Sequence, residues 1–215
     1  MKVGLLGSGD VARSLGTGFV ALGHEVCLGT RHPSRPNLAD WANGVGKKAT
    51  VGRFSDAAAF GEVIVLATLG VATAEAIRTA GIDRFDGKVV IDATNPLVFR
   101  GEGPPGLAVG HTTSGAEEVQ RLLPKARVVK AFNTIGHTHF FRPSFPGGPP
   151  DMFVCGEDAG AKRTVEGILH AFGWPSVIDI GGLDGARQLE ELAVLWVKTA
   201  QRLGNFNIGF KVLRR

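Results

Sequence analysis

Five short apolar runs in the first 134 residues constrain this fold more than any other feature of the chain. They occupy residues 2–7, 25–30, 63–68, 88–94 and 127–132. None alternates polar with apolar positions, so each reads as a strand buried on both faces. Between them, residues 11–22, 57–60, 72–79 and 116–123 read as helices. Strand–helix alternation of this kind implies a parallel sheet with right-handed crossovers. The expected class is α/β, a doubly wound parallel sheet of the Rossmann type.

Beyond Asn133 the texture changes. Residues 136–150 are rich in Gly, Pro, Phe and His and read as an irregular loop. A strand at 152–155, a helix at 159–172 and a strand at 176–180 follow. Residues 185–203 form the longest amphipathic stretch, with Leu189, Leu192, Ala193, Trp196, Val197, Ala200 and Leu203 at helical spacing. That helix either packs on the sheet or offers a dimer face. Residues 205–213 read as one further strand. The chain is thus expected to divide into a nucleotide-binding unit, 1–134, and a small C-terminal α/β extension or lid, 135–215.

Composition removes several function classes. At 44% hydrophobic and 20% charged residues, a chain of 215 residues can bury a core and is not disordered. Tyrosine is absent, which excludes any catalytic tyrosine. A net charge of +4 favours anionic ligands weakly, but no Lys/Arg run marks a nucleic-acid surface. No apolar stretch approaches the ~18 residues of a bilayer span, and the N-terminus lacks a signal-peptide pattern. Cys27 and Cys155 sit in apolar runs, as buried thiols of a reducing compartment do. A cytoplasmic protein with no membrane or nucleic-acid partner is expected. His137 and His139 have no third ligand nearby, so no metal site is expected. They read as solvated loop histidines, with proton handling as the alternative. Phe140, Phe141 and Phe145 either roof a pocket or join the core. Lys211, Arg214 and Arg215 read as a solvated basic end, with contact to an acidic cofactor tail as the alternative.

The first strand runs straight into Gly7-Ser8-Gly9-Asp10-Val11-Ala12, a G-x-G-x-x-A turn that opens a helix. In that setting Gly7 permits the tight turn, Gly9 lets backbone approach a pyrophosphate, and Ala12 keeps the helix close to the strand. The free N–H groups at the helix start then bind the anion. Asp10 would repel that anion, so it is expected to face solvent or cap the helix.

The end of the second strand selects the cofactor. An NAD site places a carboxylate about 20 residues past the glycines. Here the sequence is Gly29-Thr30-Arg31-His32-Pro33-Ser34-Arg35, without one. A hydroxyl and two guanidinium groups suit a 2′-phosphate, so NADP(H) is expected. The later strands end at Thr68-Leu69, Asn95-Pro96 and Ala131-Phe132-Asn133, where an open parallel sheet holds its ligand. Asn95 and Asn133 either bond ribose or carboxamide or simply close turns.

Taken in order, Gly7-Ser-Gly-Asp-Val-Ala, Gly23-His-Glu-Val, Gly29-Thr-Arg, Asp92-Ala-Thr-Asn-Pro-Leu, Val128-Val-Lys-Ala-Phe-Asn-Thr and Phe172-Gly-Trp-Pro resemble the NADPH-dependent F420 reductase family. That family, the F420-dependent NADP oxidoreductases, is similar to the oxidoreductase domain of the STEAP metalloreductases. It is more distantly similar to the N-terminal domain of pyrroline-5-carboxylate reductase. The resemblance implies a homodimer that passes hydride between NADP(H) and coenzyme F420 or a flavin. It implies Ser8, Gly9, Asp10 and Val11 along the pyrophosphate and Thr30, Arg31 and Arg35 on the 2′-phosphate. Leu69, Asn95, Pro96, Ala131 and Asn133 would frame the nicotinamide, with the second cofactor below the 136–150 loop. Hydride passage rests on proximity, so no catalytic acid or base is assigned. Two other readings remain open: an NADP-dependent imine or carbonyl reductase, and a non-catalytic NADP(H) sensor.

Overall fold

The structure, a computed structural model, describes residues 1–101 and 103–214, so Arg215 of the basic end lies outside it. Six strands make the main sheet: β1 (Lys2–Leu6), β2 (Glu25–Thr30), β3 (Ala49–Arg53), β4 (Val63–Leu66), β5 (Val89–Asp92) and, two short strands later, β8 (Arg127–Lys130). All pair in parallel, in the order β3-β2-β1-β4-β5-β8. The order reverses between β1 and β4, the switch point at which such sheets open a crevice.

The helices cover both faces. They are α1 (Asp10–Ala21), α2 (Pro36–Val45), α3 (Phe54–Phe60), α4 (Thr73–Ala80) and α5 (Gly115–Leu122). The two short strands β6 (Leu97–Val98) and β7 (Gly106–Leu107) form a hairpin beside the crevice. Helix α2, strand β3 and this hairpin were not evident in the sequence. Strand β3 is an edge strand, and its Thr50, Val51, Gly52 and Arg53 are only partly covered or exposed. It therefore never needed an apolar run. Helix α2 buries Leu38 alone among its ten residues, so its periodicity is faint.

After β8 come β9 (Met152–Val154), α6 (Ala159–Ala171), β10 (Val177–Asp179) and α7 (Ala186–Leu203). Strands β9 and β10 pair in parallel as a small second sheet. It joins the first through one antiparallel bridge, Lys130 to Cys155. The core runs through both regions without a break. Leu15 and Phe19 of α1 share a cluster with Val165 and Leu169 of α6 and with Phe172 and Trp174. A Cβ on Gly18 would come within 2.7 Å of the Phe172 ring, so α1 is pared down to admit that ring. Phe140 is buried in this cluster, and Phe141 and Phe145 pack against it, so the three phenylalanines belong to the core.

Residues 205–213 form no strand, contrary to the expectation. They run as an irregular strap whose bonds replace a ladder. Asp151 N–H donates to Phe210 O at 2.9 Å, and the Asp151 carboxylate accepts from Val212 N–H at 2.7 Å. A side chain thus takes the place of the second strand's carbonyl. The indole of each tryptophan fastens a different joint. Trp41 Nε1 of α2 donates to Thr17 Oγ1 of α1, buried Trp174 Nε1 to Phe140 O, and Trp196 Nε1 of α7 to Ile208 O of the strap. No helix among the described residues is long and apolar enough to cross a membrane.

Candidate functional site

At the carboxyl ends of β1, β2 and β4 the sheet opens into a crevice of about 400 Å³. Gly7, Ser8, Gly9, Asp10, Val11, Thr30, Arg31, Arg35, Thr68 and Leu69 all line it. Gly7 stands at φ +137, and a Cβ there would collide with the Ala67 carbonyl, so no other residue fits. Gly9 differs: its backbone is extended (φ −79), and a Cβ would meet nothing within 4 Å. The space above Gly9 is open for a ligand's backbone-hugging phosphate.

Gly9 is also the N-cap of α1, and no side chain caps that end. By contrast, Ser114 caps α5 by accepting from Glu117 N–H, and Asp158 caps α6 by accepting from Ala161 N–H. The first amides of α1 therefore face the crevice with no acceptor of their own, which suits an anion. Asp10 does not cap the helix. Its carboxylate pairs with Arg13 one turn on, which offsets its charge beside those amides.

At the other end, Thr30 ties the turn together. Its buried hydroxyl accepts from Ser8 Oγ at 3.2 Å and from His32 N–H at 3.4 Å. Arg31, His32 and Arg35 stand exposed around it, three side chains that can carry positive charge and no carboxylate. His32 was not among the residues singled out from sequence, although it lies inside the basic turn. Phe54 and Glu75 also line the crevice. Phe54 was missed together with β3, which delivers it.

Asn95, Pro96, Ala131 and Asn133 lie off this crevice wall. Asn95 Nδ2 donates to Asn133 O at 2.9 Å, and Asn133 Nδ2 donates to both Asn95 Oδ1 and Leu189 O. The two amides thus hold the ends of β5 and β8 together. Asn133 Oδ1 is buried and has no hydrogen-bond partner among the described residues, an acceptor left open. The preceding Phe132 is held at φ +64, strained for a bulky residue, with its N–H on the Met152 sulfur. Ala131 is fully buried, and Pro96 lines a separate hollow near Gly115.

Beneath this corner lies a charged cluster that the sequence did not announce. Lys130 Nζ donates to Asp92 Oδ2 at 2.9 Å, Glu190 Oε1 at 2.7 Å and Thr94 O at 2.6 Å. All three charged groups are inaccessible to solvent. Burial opposes the ammonium charge, but the Asp92 and Glu190 carboxylates outweigh it and hold Lys130 above its ordinary value. Glu190 also accepts from Gly115 N–H and Ala116 N–H at the start of α5. One carboxylate therefore joins α7, α5 and β8.

His137 follows on the turn His137–His139, and it lines both this crevice and a neighbouring hollow with Ser14 and Trp41. Its Nδ1 lies 3.1 Å from Ser14 Oγ of α1. His139 points elsewhere, to Asn207 Oδ1 at 3.0 Å and against the Phe145 ring. Among the described residues, no group of three or more His, Cys, Asp or Glu is placed to hold a metal ion.

The chain is similar to several known proteins. A solved structure from Arthrobacter sp. FB24, named as a candidate F420-dependent NADP-reductase, superposes with a TM-score of 0.95 at 36% identity, covering 100% of both chains. The metalloreductase STEAP3 of Rattus norvegicus is 33% identical over 89% of this chain, and the F420-dependent NADP reductase of Methanocaldococcus jannaschii is 30% identical over 66% of it. The chain spans 36% of the length of the former and 63% of the latter. Residues 2–96, which carry the glycine turn, the basic turn and Asn95, match the family described as coenzyme F420-dependent NADP oxidoreductases. The chain belongs to that family.

Proposed function

We propose that this protein passes hydride between NADPH and a tricyclic acceptor, a deazaflavin of the F420 type or a flavin. The observation that carries the reading is one crevice lined by two sets of groups suited to anions. The uncapped start of α1 above Gly9 lies at one, and Arg31 and Arg35 lie at the other. The residues present fit an adenine dinucleotide bearing a 2′-phosphate. The α1 amides hold the pyrophosphate, and Thr30, Arg31 and Arg35 hold the extra phosphate. Leu69, 76% exposed on the rim, offers apolar surface to a flat ring. When bound, the coenzyme supplies a hydride. The chain's part is to hold both rings in line and keep water out.

The choice of acceptor draws on the family's description and on that apolar rim. Leu195, Leu203 and Phe206, exposed along α7 and just beyond it, supply a face for a second copy of the chain. The two buried free thiols suit a cytoplasmic setting. The test is NADPH oxidation with F420, FMN, FAD and riboflavin, run beside a panel of imines and aldehydes. Turnover with a deazaflavin or flavin is expected. Turnover confined to imines or aldehydes, or none at all, would overturn the reading.

A further inference from the structure

Hydride transfer leaves a proton unaccounted for. With both electrons of the nicotinamide C4–H bond passing to the acceptor's central ring, negative charge gathers on the acceptor's far nitrogen, and one proton must follow. We propose that His137 delivers that proton. The proposal rests on the acceptor reading above. In the step, the His137 Nε2–H bond breaks as an N–H bond forms on the reduced acceptor, and the neutral imidazole regains a proton from solvent.

Three observations carry it. First, His137, in the segment after β8, lines the same crevice as Thr68 and Leu69 and also borders the neighbouring hollow with Ser14. Second, Ser14 Oγ fixes the ring through Nδ1, while Nε2 has no partner among the described residues and is the nitrogen left to reach a ligand. Third, the other titratable groups around the crevice do not fit the task. Asp10 is paired with Arg13 on α1, Glu75 of α4 is a carboxylate, and Arg31 and Arg35 do not release protons. His32 belongs to the turn that holds the 2′-phosphate. An imidazole is the side chain that both holds and releases a proton near neutral pH. His139, on the same turn, is occupied by Asn207 and Phe145.

The test compares the wild-type chain with His137→Gln, Ser14→Ala and, as control, His139→Gln. The wild-type kcat is expected to fall toward alkaline pH, as a rate that needs a protonated donor does. His137→Gln should lower kcat by about 10²-fold and remove that alkaline limb, with KM for NADPH unchanged. Ser14→Ala should lower kcat less, and His139→Gln should change nothing. A second readout needs no turnover. In the complex with NADP⁺ and oxidised acceptor, the His137 ring resonances should shift on adding the acceptor.

An unchanged rate and pH profile in His137→Gln with F420 or a flavin would overturn the His137 role alone, as would ring resonances blind to the acceptor. Wild-type turnover with imines alone would overturn the acceptor reading. An imine nitrogen needs the same proton, so the same comparison on that reaction then decides His137. A chain inert toward every acceptor overturns both.

Discussion

Lys130 Nζ and Glu190 Oε1 lie 2.7 Å apart with no solvent on either, and that contact locks the end of β8 to the long helix α7. Removing one partner strands the other as a buried charge. Lys130→Met should cost about 3–5 kcal/mol of unfolding free energy, because Asp92 and Glu190 then stay buried without their counter-charge. Combining it with Asp92→Asn and Glu190→Gln should cost less than the single change, since no charge remains buried. Urea unfolding of the two variants checks the order.

Gly9→Val should leave stability within about 0.5 kcal/mol of wild type, because the backbone there is extended and the space above it open. It should nevertheless weaken NADPH binding at least about tenfold, since the valine fills the phosphate's place. Gly7→Ala should do the reverse and destabilise the fold itself. Thermal melts and fluorescence titration with NADPH separate the two effects.

Arg31→Ala should remove most of the preference for NADPH over NADH. A charge-assisted hydrogen bond contributes about 1.5–3 kcal/mol, or roughly tenfold or more in affinity. Binding of NADH should barely change, and a loss of both would place Arg31 in the fold rather than the site. Isothermal titration with the two coenzymes gives the ratio.

Two titrations have definite signs. The Arg187 hydrogen bond, with help from Ser114, holds the Glu117 carboxyl below its ordinary value of 4.5. Its contribution is therefore present above that value and lost as pH falls through the lower folded-state one. The stability gap between wild type and Glu117→Gln should close over that acid range. Burial pushes the Cys155 thiol from 9.0 up to about 12. Its contribution is present below 9.0 and lost as pH rises from 9.0 to about 12. A thiol reagent at neutral pH should label Cys155 only as fast as the protein unfolds.

The main sheet was legible because its inner strands are covered on both faces. Val3, Leu5 and Leu6 of β1 and all of β4 and β5 are buried, and such strands must be written as apolar runs. The glycine turn and the basic turn were legible because each is local, its chemistry complete within a few residues. What could not be read joins distant points. Lys130 and Glu190 are sixty positions apart, and each alone resembles a surface residue. The placement of His137 depends on Ser14, more than a hundred positions away. The strap at 205–213 has the composition of a strand, but Asp151, Trp196 and His139 hold it at separate points in place of a ladder.

The three indoles divide the molecule's emission into three addresses, for a chain without tyrosine has no other strong emitter in the near ultraviolet. Trp41 borders the hollow beside His137, Trp174 sits in the shared interior, and Trp196 clasps the strap. Single-tryptophan versions would make one chain into three instruments, reading coenzyme arrival, global melting and strap release separately, with no dye attached.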